Sequence, residues 1–128
     1  MKFNNIKKGL TLTLNNTVKK EDTAATYGSG LLDVYATPAM VAFMENTSLN
    51  VVRSLLPEGY DTVGTQINIK HIKATPVGME VTCTSTLINV DGPKLEFELE
   101  CFDKKGIIGK GIHKRYIINK NEFIKALK

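Results

Sequence analysis

The hydrophobic pattern of this chain changes its period once, and that change is its strongest constraint on the fold. Thr37-Pro38 is typical of a helix start, because Thr can cap free backbone N–H groups and Pro suits the first helical position. The apolar positions that follow predict one helix from Thr37 to about Leu56, ended by Pro57 and Gly59. Apolar residues lie around much of its circumference, so we expect other structure to enclose this helix.

Beyond Asp61 the side chains alternate between apolar and polar, which predicts β-strands. In the first of these strands, one face is predicted to carry Val63, Thr65, Ile67, Ile69 and His71. Asp91-Gly92 is a hairpin signal, and a second turn is predicted over residues 103–106. Such short turns force the strands they join to run antiparallel. A further strand is predicted over residues 10–18, ahead of the helix.

The order of these elements limits the possible architectures. One strand, one long helix and four further strands leave a single sheet whose apolar face only that helix can cover. We therefore predict an α+β protein with the hotdog fold, in which a curved antiparallel sheet wraps around one long helix. The chain has 128 residues and no evident internal repeat, so one domain over residues 1–128 is expected.

Charge and cysteine content narrow the classes of partner. The formal net charge is +4, but the basic residues are spread along the chain, which favours a solvated surface over an anion site. The aromatic residues form no nucleic-acid stacking motif, so no nucleic-acid partner is expected. Cys83 and Cys101 match no metal or redox spacing. If the hairpin forms, the two thiols lie nearly opposite; a disulfide is conceivable there, but two buried reduced thiols are favoured.

The sequence also lacks several signals. The segment Met1–Lys8 has no apolar run long enough for a signal peptide, and no segment approaches transmembrane length. We therefore expect a cytoplasmic protein with no membrane partner. No His/Glu metal spacing, P-loop, dinucleotide-binding glycine pattern or serine-hydrolase elbow is present, so neither a metal nor a cofactor is expected.

Three residues are the best candidates for catalysis. Glu45 lies on a predicted apolar helix face, where a carboxylate is costly unless it is paired or functional; the alternative is that it reaches solvent at a groove. His71 is in phase with the apolar face of its strand, and an inward His that meets an inward Glu can act as a base. Thr37 lies at the helix N-terminus, whose N–H donors suit the oxyanion of acyl transfer. Eight helical residues span about 12 Å. Thr37 and Glu45 must therefore be bridged by His71, substrate or water, or come from different subunits.

Three further residues have two interpretations each. Gly64 in a strand indicates either a bulge or close approach of the backbone to a ligand. His113 and Arg115 share a strand face, with Lys114 on the other. Arg115 can hold a phosphate or carboxylate, and solvation of both side chains is an equal alternative.

Five segments carry a resemblance to the fluoroacetyl-CoA thioesterase-like family: Gly28-Ser29-Gly30, Val34–Glu45, Thr62–Thr65, His71–Met79 and Gly109–Tyr116. They span nearly the whole chain in order. The most specific are the Ala-Thr-Pro helix start with a downstream Glu, and the His followed by Thr-Pro-x-Gly.

This resemblance implies a hotdog thioesterase that works as a homodimer and has its site near the subunit interface. Whether the dimers pair into tetramers stays open. It implies that Thr37, Glu45 and His71 are catalytic and that Gly64 and Arg115 contact substrate. The founding enzyme has an aromatic-rich lid, whereas residues 27–35 here contain Leu31 and Leu32 and no Phe. A short acyl-CoA other than fluoroacetyl-CoA is therefore the predicted substrate.

Two other functions remain possible from the sequence. One is a hotdog module that binds acyl-CoA without turnover, and the other is an acyl-CoA hydratase. For hydrolysis itself, Thr37 either attacks the thioester or positions it for a water that Glu45 and His71 activate.

Overall fold

The computed structural model describes residues 3–128, so Met1 and Lys2 of the predicted domain and N-terminal segment lie outside the described residues. Its elements are β1 (Thr11–Thr17), α1 (Ala24–Tyr27), α2 (Thr37–Val52), β2 (Tyr60–His71), β3 (Glu80–Asp91), β4 (Lys94–Asp103), β5 (Gly106–Asn119) and α3 (Lys120–Lys125). The strands form one sheet in the order β1-β3-β4-β5-β2, and every neighbouring pair is antiparallel. The predicted helix and strands and the two hairpin turns of β3-β4 and β4-β5 are confirmed. The expectation that all four strands after the helix pair in chain order is wrong for β2, which crosses over to pair with β5 at the edge of the sheet and does not touch β3 as a neighbour.

The start of α2 differs from the prediction. Ala36 is the residue before the first turn, and no side chain caps the helix. Thr37 is already helical, so its hydroxyl is not placed to reach the free amides of that turn. The prediction that Thr37 caps the helix is therefore wrong, and its hydroxyl is free for another partner. At the other end, α2 stops at Val52, and a 3₁₀ turn over Arg53–Leu55 continues toward Pro57.

One face of α2 packs on the sheet. Its buried residues are Ala39, Met40, Phe43, Met44, Thr47, Ser48, Val51 and Val52. The adjacent stripe, Val41, Ala42, Glu45 and Leu49, stays exposed or half-buried. The expected enclosure around most of the helix is thus wrong for a single chain, because five strands cover only one side of it.

The strand β2 contains a bulge that the alternation pattern did not predict. Its pairing with β5 shifts between Gly64 and Gln66, so Thr65 is an extra residue. A one-residue insertion moves the following side chains to the other face. Consequently Val63 and Thr65 do not share the inner face with Ile67 and His71 as predicted. Thr62 and Gly64 lie on that face instead.

The hairpin of β3 and β4 places the two cysteines as expected. Cys83 is directly opposite Cys101, and both thiols are free and buried. They belong to the core cluster that contains Met40 and Met44 of α2. None of the helices within residues 3–128 combines the length and the apolar character needed to cross a bilayer.

Candidate functional site

Thr37 and His71 form the first half of the candidate site. The Thr37 Oγ1 atom is 2.7 Å from His71 Nδ1, which is a hydrogen bond between the first residue of α2 and the last residue of β2. The edge of the His71 ring packs against Tyr35, with 6.3 Å between ring centroids. The other ring nitrogen, Nε2, is buried and has no hydrogen-bond partner within residues 3–128.

The environment of His71 favours a neutral imidazole. Burial lowers the pKa of His71 below its usual 6.5, and a backbone interaction at Lys73 opposes that effect in part. A neutral imidazole can accept a proton, so His71 has the protonation state that a general base needs at neutral pH. The pair therefore provides a hydroxyl and an adjacent base.

A cleft of about 310 Å³ surrounds this pair. Its lining residues include Thr37 and His71, with Ser29, Val34 and Tyr35 from the stretch that separates α1 from α2. All three lie within residues 27–35, the stretch whose place in the sequence corresponds to a lid. The candidate base and hydroxyl thus face a space that can admit a small acyl group.

Glu45 lies in a different place. Its carboxylate, with 42% of the side chain exposed, is on the half-buried stripe of α2, and Oε2 is 4.0 Å from His113 Nε2. Glu45 lines an open groove of about 450 Å³ with Gly64 and Arg115. This groove shares no lining residue with the cleft of Thr37 and His71.

Gly64 makes room for the Glu45 carboxylate. A Cβ atom at position 64 would lie 2.8 Å from Glu45 Oε2, 3.2 Å from His113 Cε1 and 3.4 Å from Arg115 Nη1. The first separation is shorter than real Cβ contacts allow. The bulge at Thr65 turns Gly64 inward, and the absence of a side chain lets the carboxylate approach the strand.

Arg115 is buried and held by three hydrogen bonds. Its Nε and Nη2 donate to the Thr62 hydroxyl and carbonyl at 2.8 and 2.9 Å, and Nη1 lies 3.1 Å from His113 Nε2. Burial lowers the pKa of Arg115, and the Glu45 and Asp61 carboxylates oppose this shift. Solvation of His113 and Arg115, the alternative left open by the sequence, is wrong, since they are 1% and 8% exposed.

The structure thus separates the predicted residues into two groups. Thr37 meets His71, whereas Glu45 meets Gly64 and Arg115. The histidine next to Glu45 is His113, which was not among the predicted catalytic or substrate residues. The signal that pointed to it was its shared strand face with Arg115, two residues away.

Comparison with known proteins gives a consistent result. Residues 18–121 match the model of the fluoroacetyl-CoA-specific thioesterase family. The curated fluoroacetyl-CoA thioesterase of Streptantibioticus cattleyicolor is 35% identical over 91 residues, which is 71% of this chain and 66% of that protein. The chain therefore spans just under two thirds of this relative's length.

Solved structures show the same fold. A variant of the fluoroacetyl-CoA-specific thioesterase FlK, in complex with fluoroacetate and CoA, superposes with a TM-score of 0.87 at 29% identity, covering 92% of this chain and 99% of that one. A hot-dog-like protein from Thermanaerovibrio acidaminovorans gives a TM-score of 0.90 at 23% identity, with coverages of 99% and 95%, and supports the fold alone. The predicted hotdog fold and the resemblance seen in the motifs are confirmed.

Proposed function

Because the chain belongs to the fluoroacetyl-CoA-specific thioesterase family of acyl-CoA thioesterases, we propose that it hydrolyses a short-chain acyl-CoA to CoA and the free acid. The proposal rests above all on the 2.7 Å contact between the Thr37 hydroxyl and His71. Thr37, Glu45 and His71 are the proposed catalytic residues, and Gly64 and Arg115 the proposed substrate contacts. The acting unit is one domain over residues 1–128.

Two routes use the hydroxyl and the base. In the first, Thr37 Oγ1 attacks the thioester carbon while His71 accepts its proton; the C–S bond breaks, and the proton passes to the departing CoA sulfur. Water then hydrolyses the acyl-threonine ester with His71 as base. In the second, Glu45 and His71 activate a water, which gives one proton to this pair and attacks the thioester carbon while Thr37 positions the carbonyl; the C–S bond then breaks and the proton passes to the CoA sulfur. Either route consumes one water.

The N-terminus of α2 suits the charge that develops in both routes. The first turn of a helix leaves amide donors without intrahelical partners, and the helix dipole is positive at that end. A carbonyl oxygen placed beside Thr37 would receive these donors as it becomes an oxyanion. Pro38 removes one amide, so Thr37 and Ala39 carry the remaining donors of the first turn, and of these two Thr37 lines the cleft.

We infer that the working site combines two protomers of a homodimer. The strand β2 is an edge of the sheet, so one side of its backbone is available for pairing. Gly64 and His71 lie at two places on this strand, about 20 Å apart by strand geometry. Two copies of β2 paired about a two-fold axis run antiparallel, which brings the His71 end of one beside the Gly64 end of the other.

The half-buried stripe of α2 supports this assembly. Val41 and Leu49 flank Glu45, and the stripe borders the groove beside β2. A second copy that extends the sheet at β2 would cover these apolar side chains. The same packing would bring Glu45 toward Thr37 and His71 of the partner, which a single helix cannot do.

The segment before α2 bears on the acyl group. Leu31 and Leu32 are 95% and 68% exposed, and no aromatic ring other than Tyr27 and Tyr35 lies in this stretch. Aliphatic side chains of this kind suit a short hydrocarbon group, so acyl-CoAs without fluorine are the proposed substrates. The cytoplasmic location stays a prediction from the sequence.

The first test is release of free thiol from a panel of acyl-CoAs, from acetyl to hexanoyl with branched and halogenated members. Turnover that Glu45→Gln and His71→Ala both abolish, in variants with native melting temperatures, is the expected result. Saturable binding of CoA thioesters without turnover of any member would replace the proposal with a binding module. Hydration of an unsaturated acyl-CoA would indicate a hydratase.

The second test is subunit complementation. Thr37→Ala and Glu45→Gln chains are inactive alone, but a mixed dimer has one site with native Thr37 and native Glu45 if these come from different protomers. Random mixing should recover about a quarter of native activity, because about half of the dimers are mixed and each has one intact site of two. No recovery in verified mixed dimers would place both residues in one chain.

A further inference from the structure

The protonation state of His113 follows from its two contacts. Its Nδ1 atom lies 2.8 Å from the Gln66 carbonyl oxygen, which only accepts, so Nδ1 carries a proton. Its Nε2 atom lies 3.1 Å from Arg115 Nη1, and a guanidinium only donates, so Nε2 has no proton. His113 is therefore a neutral imidazole with a fixed tautomer.

His113 also completes the set of contacts that hold Arg115. Thr62 binds the Nε and Nη2 groups, and His113 binds Nη1. A guanidinium has five N–H groups, so about two remain, one on each terminal nitrogen. The Nη1 atom is also 3.4 Å from the position that a Cβ of Gly64 would occupy, which places it at the groove of Glu45.

We propose that His113 is a positioning residue whose unprotonated Nε2 aims the Arg115 guanidinium at the groove where Glu45 and Gly64 meet the acyl-CoA. The proposal rests on the proposed function of that groove. His113 itself is 1% exposed and does not line the groove, so it acts through Arg115 rather than on the substrate. The three bonds fix a side chain that otherwise has several rotamers, and the residual N–H groups are left for a carbonyl or a phosphate.

The same geometry makes the arrangement sensitive to acid. Two charged groups face the His113 ring: Glu45 of α2, at 4.0 Å, and Arg115 of β5. The other neighbours are uncharged, namely the Gln66 carbonyl of β2 and the Phe97 ring of β4. If Nε2 carried a proton, its N–H and the N–H of Arg115 Nη1 would point at each other, and a second positive charge would lie beside the guanidinium. Burial lowers the pKa of His113, so this happens only below the usual range of histidine. Protonation therefore removes the contact that aims Nη1, while the two bonds to Thr62 still hold Nε and Nη2.

Two substitutions separate positioning from packing. In His113→Gln the amide oxygen takes the place of Nε2 as an acceptor for Arg115, and it does not titrate. In His113→Leu the volume is largely kept but the acceptor is lost. We expect His113→Leu to lower kcat/KM by about 10- to 100-fold, as for a misplaced binding group. His113→Gln should stay within about threefold of the native value.

The dependence of kcat/KM on pH distinguishes positioning from packing, because a residue that only fills space does not change it. In the native chain, the plot of log kcat/KM against pH should fall toward acid pH with a slope approaching two, because both His71 and His113 take up a proton. In His113→Gln the slope should approach one. An unchanged profile in His113→Gln, or native kcat/KM in a folded His113→Leu chain, would overturn the proposal.

An NMR experiment keeps this inference separate from the proposed function. The two N–H signals of Arg115 Nη1 should be resolved and slowly rotating in the native chain and in His113→Gln, and averaged in His113→Leu, where only the bonds of Nε and Nη2 to Thr62 remain. If these signals behave so while no acyl-CoA is turned over, the positioning of Arg115 stands and the proposed activity fails. Identical Arg115 signals in all three chains would refute the positioning role.

Discussion

The substitution Gly64→Ala tests the link between the β2 bulge and the candidate carboxylate. The new methyl group would lie 2.8 Å from Glu45 Oε2, and ordinary contact begins near 3.4 Å. The carboxylate must therefore retreat by about 0.6 Å or swing outward into solvent. It is the end of a flexible side chain that is 42% exposed, so this movement is cheap. Gly64 has no positive φ, so its backbone accepts Ala without strain.

The expected effects on stability and activity therefore differ. Replacing Gly by Ala at a compatible position stabilises by about 0.4–1 kcal/mol through the unfolded state, which offsets the crowding against the His113 ring, 3.2 Å from the new methyl group. We expect the free energy of unfolding to change by less than about 1 kcal/mol. A displacement approaching 1 Å at a catalytic group costs up to about 100-fold. We expect kcat/KM to fall by about 10- to 100-fold, or about 1.4–2.7 kcal/mol of transition-state stabilisation.

A double-mutant cycle shows whether the loss passes through Glu45. Thiol release would be followed with enzyme in excess over acyl-CoA, so that the residual rates of the Glu45→Ala chains can be compared, and urea unfolding would be measured for Gly64→Ala, Glu45→Ala and the double variant. In the Glu45→Ala background the added methyl group meets no carboxylate, so we expect Gly64→Ala to cost less than about threefold there. An equal loss in both backgrounds would mean that Gly64 acts on the substrate directly. Native kcat/KM in the single variant would refute the displacement altogether.

Three further results are expected. Thr37→Ser should keep most activity and Thr37→Ala should lose about 10²-fold or more in thiol-release assays, because only the former keeps the hydroxyl on the base; full activity of Thr37→Ala excludes covalent catalysis. Burial lowers the pKa of both His71 and His113, so below pH 6.5 the unfolded chain binds more protons than the folded one. The free energy of unfolding should therefore rise with pH through the window up to 6.5 and fall on acidification, and a flat profile in urea titrations would contradict this. Cys83 and Cys101 are buried, and the Cys83 contact and burial raise the pKa of Cys101. Both thiols should react with a disulfide reagent slowly in the folded chain and at once in denaturant, whereas fast reaction in the folded chain would show that the hairpin opens.

The proposed catalytic residues could be singled out in the sequence because their signals are local. Thr37 precedes a helix-starting Pro, Glu45 interrupts an apolar helical pattern, and His71 ends an alternating strand. The order of one strand, one helix and four further strands likewise left little choice of fold, since two hairpin turns fix β3, β4 and β5 as antiparallel neighbours. The place of β2 beside β5 was visible only in the folded chain. Composition and motif spacing thus determined the architecture and the short list of site residues.

The tertiary structure decided how those residues are grouped. The bulge at Thr65 depends on the register between β2 and β5, which lie some fifty residues apart in sequence. Gly64 indicated a bulge as one of two interpretations, but the sequence did not decide between them or place the extra residue. That one extra residue turns Gly64 inward and so opens the space that Glu45 occupies. The partner of the Thr37 hydroxyl was equally undetermined, because a threonine at a helix start can cap the helix or reach across to another element. Periodicity assigns a residue to a face, whereas the neighbours across that face are set by strand pairing and packing between distant segments, and only the folded chain brings His113 to Arg115 and His71 to Thr37.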